Sequence, residues 1–496
     1  MSEKSLSQLR KYLHDNLGLN FTKNQEKELC KKIEQAGKDF NYDNTDAFIS
    51  WLLKTKLIPK QIEKLASFLT IGETYFFREV KALDYLEHNF LPELINNRRG
   101  KKQRLRIWSA GCASGEEPYS VAILLKRVIP DIKSWNISIL ATDINAAFLE
   151  KARTGIYTNW SFRKLSGSFK ENYFTELGPN KFQINPEIRS MVTFAYQNLA
   201  TDTYPSLING TNAMDIILNR NVLIYFSNDG IKQVSNRFYN SLTKGGVFLV
   251  SPVEMSNLIS PKFGIIPYLG YTIYTKGPTK VEQKGVVEWE VSDTDEIRKT
   301  PQQILNTEIN KSPVKPTGIK PEKQDQVEKE QKVKNSDYES ALALFNQGKF
   351  DEAENKLNNI FANREVISKQ ALCLLIKTKA NLGKLNEALA LCNKALKTNK
   401  LEPNLHFLIA NIQQEKGNLA EAILSLKRVI YLDPDFPLAH FSLGNLCLKS
   451  GKDLACINHY KNALGILAKL DPDEVLKESD GLTAGRLAEI IKSIKG

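Results

Sequence analysis

The chain has 496 residues, 42% hydrophobic and 25% charged, with a formal net charge of +12, a length that predicts roughly two to four domains, each burying its own core. Six cysteines without CxxC spacing and five histidines without an HxxxH pair give no basis for a disulfide frame or a metal site, and no apolar run approaches the roughly 18 residues of a membrane span. The positive charge is not arranged in basic runs interleaved with aromatics, so it points to an acidic protein partner rather than nucleic acid.

The opening MSEKSLSQLRKYLHDNLG reads as a polar amphipathic helix rather than a signal peptide, which predicts a cytoplasmic protein. Helical patterns continue over residues 1–85 with no strand signal. Lys23, Lys27, Lys31 and Lys38 fall within about 80° of arc at about 100° per residue, opposite Leu29, Ile33 and Ala36. A solvated helix face and an acid-docking face explain that stripe equally well. In Thr70 to Arg78 the aromatics suit a core, while Thr74 and Arg78 offer a hydroxyl and a guanidinium to a carboxylate.

From 104 to 276 the pattern changes to apolar runs separated by helices. The runs are Arg104 to Ser109, Ile137 to Thr142, Met191 to Tyr196, Asp215 to Asn219, Gly246 to Ser251 and a final pair around Phe263 to Tyr274. Strands alternating with helices predict a mainly parallel α/β sheet covered on both faces. The first strand runs into Gly111-Cys112-Ala113-Ser114-Gly115 and then a helix from Tyr119, so bare backbone meets a helix N-terminus where a nucleotide-like cofactor can approach. Glu116 and Glu117 would repel a pyrophosphate and favour hydroxyls or an ammonium group. The cofactor expected is therefore S-adenosylmethionine rather than NAD or ATP.

Asp143 ends the second strand, where an acidic residue holds a ribose diol; its structural alternative is capping a helix over Asn145 to Arg153. Asp215 to Phe226 runs from a buried strand into polar residues at its carboxyl end, the edge at which open α/β sheets bind ligands. Spacing alone reads Tyr225 as a core aromatic.

Residues 277–336 are rich in Lys, Glu, Gln and Pro and read as a flexible linker. Beyond it Gly348, Gly383, Gly417 and Gly451 recur at 35, 34 and 34 residues, each followed five residues later by Ala353, Ala388, Ala422 or Cys456. That period, with a glycine turn and a small residue at the helix contact, predicts tetratricopeptide repeats over 337–496. Pro403 is expected in an irregular junction.

Thr74 to Arg78, the run SAGCASGEEPYS (Ser109 to Ser120), ATDI (Ala141 to Ile144) and NRNVLIYF (Asn219 to Phe226) together resemble the CheR-type chemoreceptor glutamate methyltransferases. The resemblance covers about residues 5–276. It implies a helical receptor-docking domain over 1–85 and a Rossmann-like methyltransferase domain over 86–276, with a β-subdomain near 160–195 that in some members holds a receptor C-terminal pentapeptide. The activity implied is methyl transfer from S-adenosylmethionine to glutamate side chains of the cytoplasmic domain of a methyl-accepting chemotaxis protein, for sensory adaptation. Residue by residue it implies cofactor binding by Thr74, Arg78, Glu117, Asp143, Asn198, Leu199, Arg220 and Asn221, catalytic positions at Tyr225 and Arg78, and receptor docking through Lys27 and Lys31. Gly72 stands where many members have asparagine, and Ser251-Pro252-Val253-Glu254 where many have Gly-His-Ser-Glu, so no catalytic histidine is expected. The repeats would take a protein or peptide ligand that recruits the enzyme or restrains it. The rival readings are a methyltransferase for another carboxylate and a non-catalytic chemosensory scaffold.

Overall fold

The computed structural model describes residues 3–163, 165, 167–256, 258–278, 337–362, 368–398, 401–449, 453–479 and 481–495. The expected linker beyond residue 278, and Gly451, lie outside them.

Helices α1 (Glu3–Leu17), α2 (Glu26–Asp39), α3 (Thr45–Lys54) and α4 (Pro59–Leu69) build the first module. Leu9, Leu13 and Leu17 sit one helical turn apart and close on Leu29, Ile33, Phe48 and Leu52 in a core of their own. Asn44 caps α3 by accepting from the Asp46 and Ala47 N–H groups, and Pro59 opens α4 where its missing N–H costs nothing. Lys23 lies in the short 3-10 turn Lys23–Gln25, outside the helix that carries Lys27, Lys31 and Lys38.

The chain continues through α5 (Val80–Tyr85) and α6 (Leu91–Arg98) into β1 (Arg104–Ala110), α7 (Glu116–Val128), β2 (Asn136–Asp143) and α8 (Ala146–Thr154). An excursion follows through β3 (Ile156–Tyr157), α9 (Gly167–Tyr173), β4 (Phe174–Gly178), β5 (Lys181–Ile184) and α10 (Pro186–Arg189). The main sheet resumes with β6 (Val192–Tyr196), β7 (Met214–Leu218), α11 (Asn228–Ser241), β8 (Leu242–Leu249), β9 (Gly264–Tyr268) and β10 (Tyr271–Thr275). Its seven strands run β6-β2-β1-β7-β8-β10-β9, while β3, β5 and β4 form a small separate antiparallel sheet. β6, β2, β1, β7 and β8 are mutually parallel, and β10 pairs antiparallel with β8 and β9. The architecture is the expected Rossmann-like α/β sheet with all-α modules on either side. β8 starts at Leu242 rather than Gly246: its pairing with β7 shifts between Met214 and Ile216, and a Cβ on Gly246 would lie 3.0 Å from the Met214 carbonyl. The glycine expected to open the strand instead permits an irregular, close strand approach within it.

The C-terminal module stacks α12 (337–346), α13 (Phe350–Ala362), α14 (Lys369–Asn381), α15 (Leu385–Thr398), α16 (Pro403–Glu415), α17 (Leu419–Leu432), α18 (Pro437–Lys449), α19 (Asp453–Leu467) and α20 (Ala484–Lys495). Gly348, Gly383 and Gly417 take φ of +70°, +73° and +83° in the turns between paired helices. Pro403 is the first residue of α16, a regular helix start rather than an irregular junction.

These turns dock on the amino ends of the sheet strands. Asn240 donates to the Gln347 carbonyl at 3.1 Å and Asn136 to the Glu415 carbonyl at 3.1 Å. Arg104 and Arg106 point out of β1 toward the repeats, and Glu415 pairs with both, at 2.7 Å from Arg104 Nη2. All three side chains are nearly inaccessible, so the pairing is a buried junction. Among the described residues no helix is long and apolar enough to cross a membrane.

Candidate functional site

Strand order reverses between β1 and β7, because β2 and β6 lie on one side of β1 and β8 on the other side of β7. The crevice at such a switch point opens outside the carboxyl ends of the strands. Here the β1 turn leaves it bare: Gly111 has φ +92°, and a Cβ there would lie 2.3 Å from Val222. The Gly111 and Cys112 N–H groups both donate to the Thr142 carbonyl, at 2.7 and 2.9 Å, tying the turn to β2.

Asp143 lies beneath that turn. Its Oδ2 accepts from the Ala113 N–H and its Oδ1 from the Asn145 N–H, both at 2.8 Å. The helix cap is Asn145, which accepts from Ala147 and Phe148, so Asp143 belongs to the crevice and not to α8. Burial raises the Asp143 pKa to about 6, against the lowering effect of those backbone N–H groups.

Of the two carboxylates opening α7, Glu116 is buried and takes the Ser114 and Ser161 hydroxyls, a structural task. Glu117 lines the cavity and accepts from Ser109 Oγ and Arg220 Nε, each at 2.6 Å. Arg220 also donates from Nη1 to the Arg78 carbonyl at 2.6 Å. Burial works against its charge, but Glu117, Tyr271 and Glu79 more than offset this and hold the guanidinium above its usual range. Arg220 therefore supports Glu117 and the 78–79 backbone.

Asn221 follows with φ +62°, and its Oδ1 is buried without a partner. Its N–H and that of Val222 donate to Glu254 at 2.7 and 2.6 Å, while Ser251 reaches the same carboxylate through both N–H and Oγ. Arg78 donates to the Glu73 carbonyl at 2.5 Å and lines the same cavity as Tyr225. Burial raises the Tyr225 pKa, with Arg78 pulling it back, so the phenol stays protonated at neutral pH.

One cavity is lined by Thr74, Arg78, Glu117, Asp143, Asn198, Leu199, Arg220, Asn221 and Tyr225. Lys27 and Lys31 are exposed on α2 and do not line it. Sequence reasoning missed Gln197, whose buried Nε2 has no partner, and Leu17 and Leu19, which reach the cavity from the first module. It also missed Glu254, which shapes the 221–222 backbone. A signal for Glu254 was present in Ser251-x-x-Glu254, the spacing of a capping box. Gly72 has a local reason: a Cβ there would lie 2.3 Å from the Phe148 ring.

The donor set suits S-adenosylmethionine. Asp143 can accept from a diol and Glu117 from an ammonium group, while Asn221 Oδ1 and Gln197 Nε2 are an unused buried acceptor and donor. Ile144, Phe148 and Leu199 supply apolar surface for a flat base.

Residues 72–263 match the family model described as CheR methyltransferase, SAM binding domain, and residues 411–451 match a TPR repeat model. A chemotaxis protein methyltransferase of Borreliella burgdorferi is 32% identical over 256 residues, covering 51% of this chain and 89% of that protein. One from Listeria innocua is 34% identical over 252 residues, covering 51% of this chain and 90% of that protein. Chemotaxis protein methyltransferase 2 of Vibrio cholerae is 29% identical over 276 residues, covering 56% and 94%. The chain belongs to the CheR methyltransferase family. As a CheR methyltransferase it uses S-adenosylmethionine, and it carries tetratricopeptide repeats beyond the family's common core.

Proposed function

We propose that this enzyme forms glutamyl methyl esters on the cytoplasmic domain of a chemoreceptor. The observation that carries the reading is that Arg78 and Tyr225 line one cavity whose other polar groups suit the cofactor. A glutamate has a reference pKa of about 4.3, so the acceptor arrives ionised and needs no general base. Arg78 supplies the charge that steers a carboxylate inward, and the Tyr225 hydroxyl donates a hydrogen bond that orients it.

When bound, S-adenosylmethionine supplies an electrophilic methyl group on a sulfonium. The chain's own task is alignment, bringing the acceptor oxygen to roughly 3–3.5 Å from that carbon in line with the breaking bond. Asp143 would hold the ribose hydroxyls, with Glu117 at the amino end. Arg220 would keep Glu117 and the Arg78 backbone in place, and Thr74, Asn198, Leu199 and Asn221 would complete the enclosure. Leu17 and Leu19 line the cavity and would keep water from the reacting ions.

Exposed Lys27 and Lys31 on α2 would dock the acidic methylation region of the receptor. The repeats would recruit a protein or peptide partner, and the protein would act in the cytoplasm. The test is methyl transfer from radiolabelled S-adenosylmethionine to receptor cytoplasmic fragments. Base-labile label on receptor glutamates, absent with Asp143→Ala, is expected. Cofactor binding without label on any receptor would move the assignment to another acceptor.

A further inference from the structure

α20, the last helix of the repeat module, packs on α4 of the first module. Arg486 donates from Nη1 to Glu63 Oε1 at 2.9 Å, with both side chains largely buried. Its guanidinium also sits over the Tyr196 ring, 4.0 Å from the centroid. One side chain of the repeat module thus touches two elements that are far apart in sequence.

Both elements lead directly into the cofactor cavity. Glu63 lies on α4, whose end delivers Thr70 and Ile71 to the cavity wall. Tyr196 ends β6, and the next three residues, Gln197, Asn198 and Leu199, line the cavity. The turn they enter is locked on itself: Asn198 N–H donates to Asp202 Oδ2 at 2.7 Å, and Asp202 N–H returns to the Asn198 carbonyl at 2.9 Å. Displacing Tyr196 would therefore carry Asn198 with it. Within the cleft, polar ties between the first module and the sheet domain include Asn198 Nδ2 to the Asn16 carbonyl and Asn145 Nδ2 to Thr70 Oγ1, both at 2.9 Å.

We propose that Arg486 is a positioning residue for methyl transfer: it belongs to the repeat module yet holds α4 and the β6 turn at the separation the cofactor requires. An arginine suits the task because its planar fork pairs with a carboxylate while its face stacks on an aromatic ring, which a lysine cannot do as well. Arg486 contacts neither the cavity nor the reacting atoms, so its effect falls on cofactor binding and not on the chemical step. By linkage, cofactor binding must tighten the docking of α20 to the same degree. The inference rests on cofactor binding by the cleft and is independent of the identity of the acceptor.

The test uses full-length protein, titrating S-adenosylmethionine calorimetrically into wild type, Arg486→Ala, Arg486→Lys and Glu63→Gln, with kcat and KM measured in parallel. Arg486→Ala and Glu63→Gln are expected to raise the cofactor Kd, and KM with it, by about five- to tenfold, the usual scale of coupling between sites. Turnover at saturating cofactor stays within about twofold of wild type, because the barrier of the bound complex is untouched. Arg486→Lys keeps the charge opposite Glu63, loses the stack, and recovers part of the affinity. Unchanged Kd and KM in Arg486→Ala, or a fall in saturated turnover with Kd unchanged, overturns the proposal. If Arg486→Ala does not fold, Glu63→Gln decides by the same readings. Failure of wild type itself to bind cofactor sinks the cofactor assignment and this proposal together, and is visible in the wild-type titration alone.

Discussion

The two edges of one parallel sheet treat buried charge differently. At the carboxyl edge Glu117 is held by Arg220 and Ser109 yet still lines an open cavity, with Asn221 Oδ1 and Gln197 Nε2 buried beside it and unpaired. At the amino edge Arg104 and Arg106 meet their counter-charge in Glu415, which arrives from the repeat module. The first edge keeps polar capacity for a ligand, and the second uses its charges to hold two modules together. A buried arginine–glutamate pair can therefore belong to a site or to a joint, and the origin of the counter-charge distinguishes them: Arg104 Nε and Arg106 Nε are also buried without partners, but their carboxylate comes from the repeat module.

Breaking the joint should produce the largest change. Glu415→Ala leaves two buried guanidinium groups without their shared carboxylate and is expected to cost about 3–5 kcal/mol of stability. Chemical denaturation reads the loss, and limited proteolysis should find the repeats released from the sheet. A wild-type denaturation midpoint would erase the distinction between the edges.

Asp143→Asn should behave in the opposite sense. Losing one charge-assisted hydrogen bond of about 1.5–3 kcal/mol would weaken cofactor binding roughly 10- to 100-fold. In the cofactor-free protein the amide turns its NH2 against one of the two backbone N–H donors, but relief of the buried charge makes its stability relative to wild type rise as the pH climbs from about 4 to about 6. The sign follows from a folded pKa of about 6, above the reference of about 3.9 for an unfolded aspartate. The ionised carboxylate is disfavoured in the fold, so its cost is present above about pH 6 and relieved as the pH falls toward about 4. Across that window wild-type cofactor affinity should fall by at most about tenfold per pH unit, and Asp143→Asn should abolish the dependence. A pH-independent wild type would place the ribose elsewhere.

Tyr225→Phe sharpens the comparison within the cavity. Loss of one orienting hydrogen bond worth about 1.4 kcal/mol lowers kcat roughly tenfold, with little change in cofactor Kd; equal turnover removes the proposed role. Smallest is charge reversal at Lys27 and Lys31, both solvent-exposed, which should raise the receptor KM by about threefold at low salt and less as salt is added. An unchanged KM would count against docking on α2.

Local chemistry made much of this legible from sequence. The strand–glycine–helix turn at 104–120, the acid at Asp143 and the 34-residue glycine period depend on backbone conformation and periodicity, which neighbouring residues express directly. Gln197, Leu17 and Leu19 were not legible, because tertiary packing brings them to the cavity from elements whose own patterns carry no mark of it. The role of Asn145 as the α8 cap was hidden by Asp143 two residues earlier, an equally good cap by residue type. The docking of the repeats did leave a trace: Arg104 and Arg106 are charges within a strand buried on both faces, and such charges need partners from outside the sheet.

The repeat spacing also works as a length gauge. The Gly383 turn sits against Ala213 beside β7 and the Gly417 turn against Asn136 at the start of β2, so one repeat advances past β1. The Gly348 turn sits against Asn240, just before β8, so the step from the first turn to the second moves by one strand and the next by two. Excising a single whole repeat would leave every remaining helix pair able to form, yet α20 would fall short of the outermost strand, β6. The order of the repeats thereby follows the order of the strands they cross, from β8 through β7 to β2.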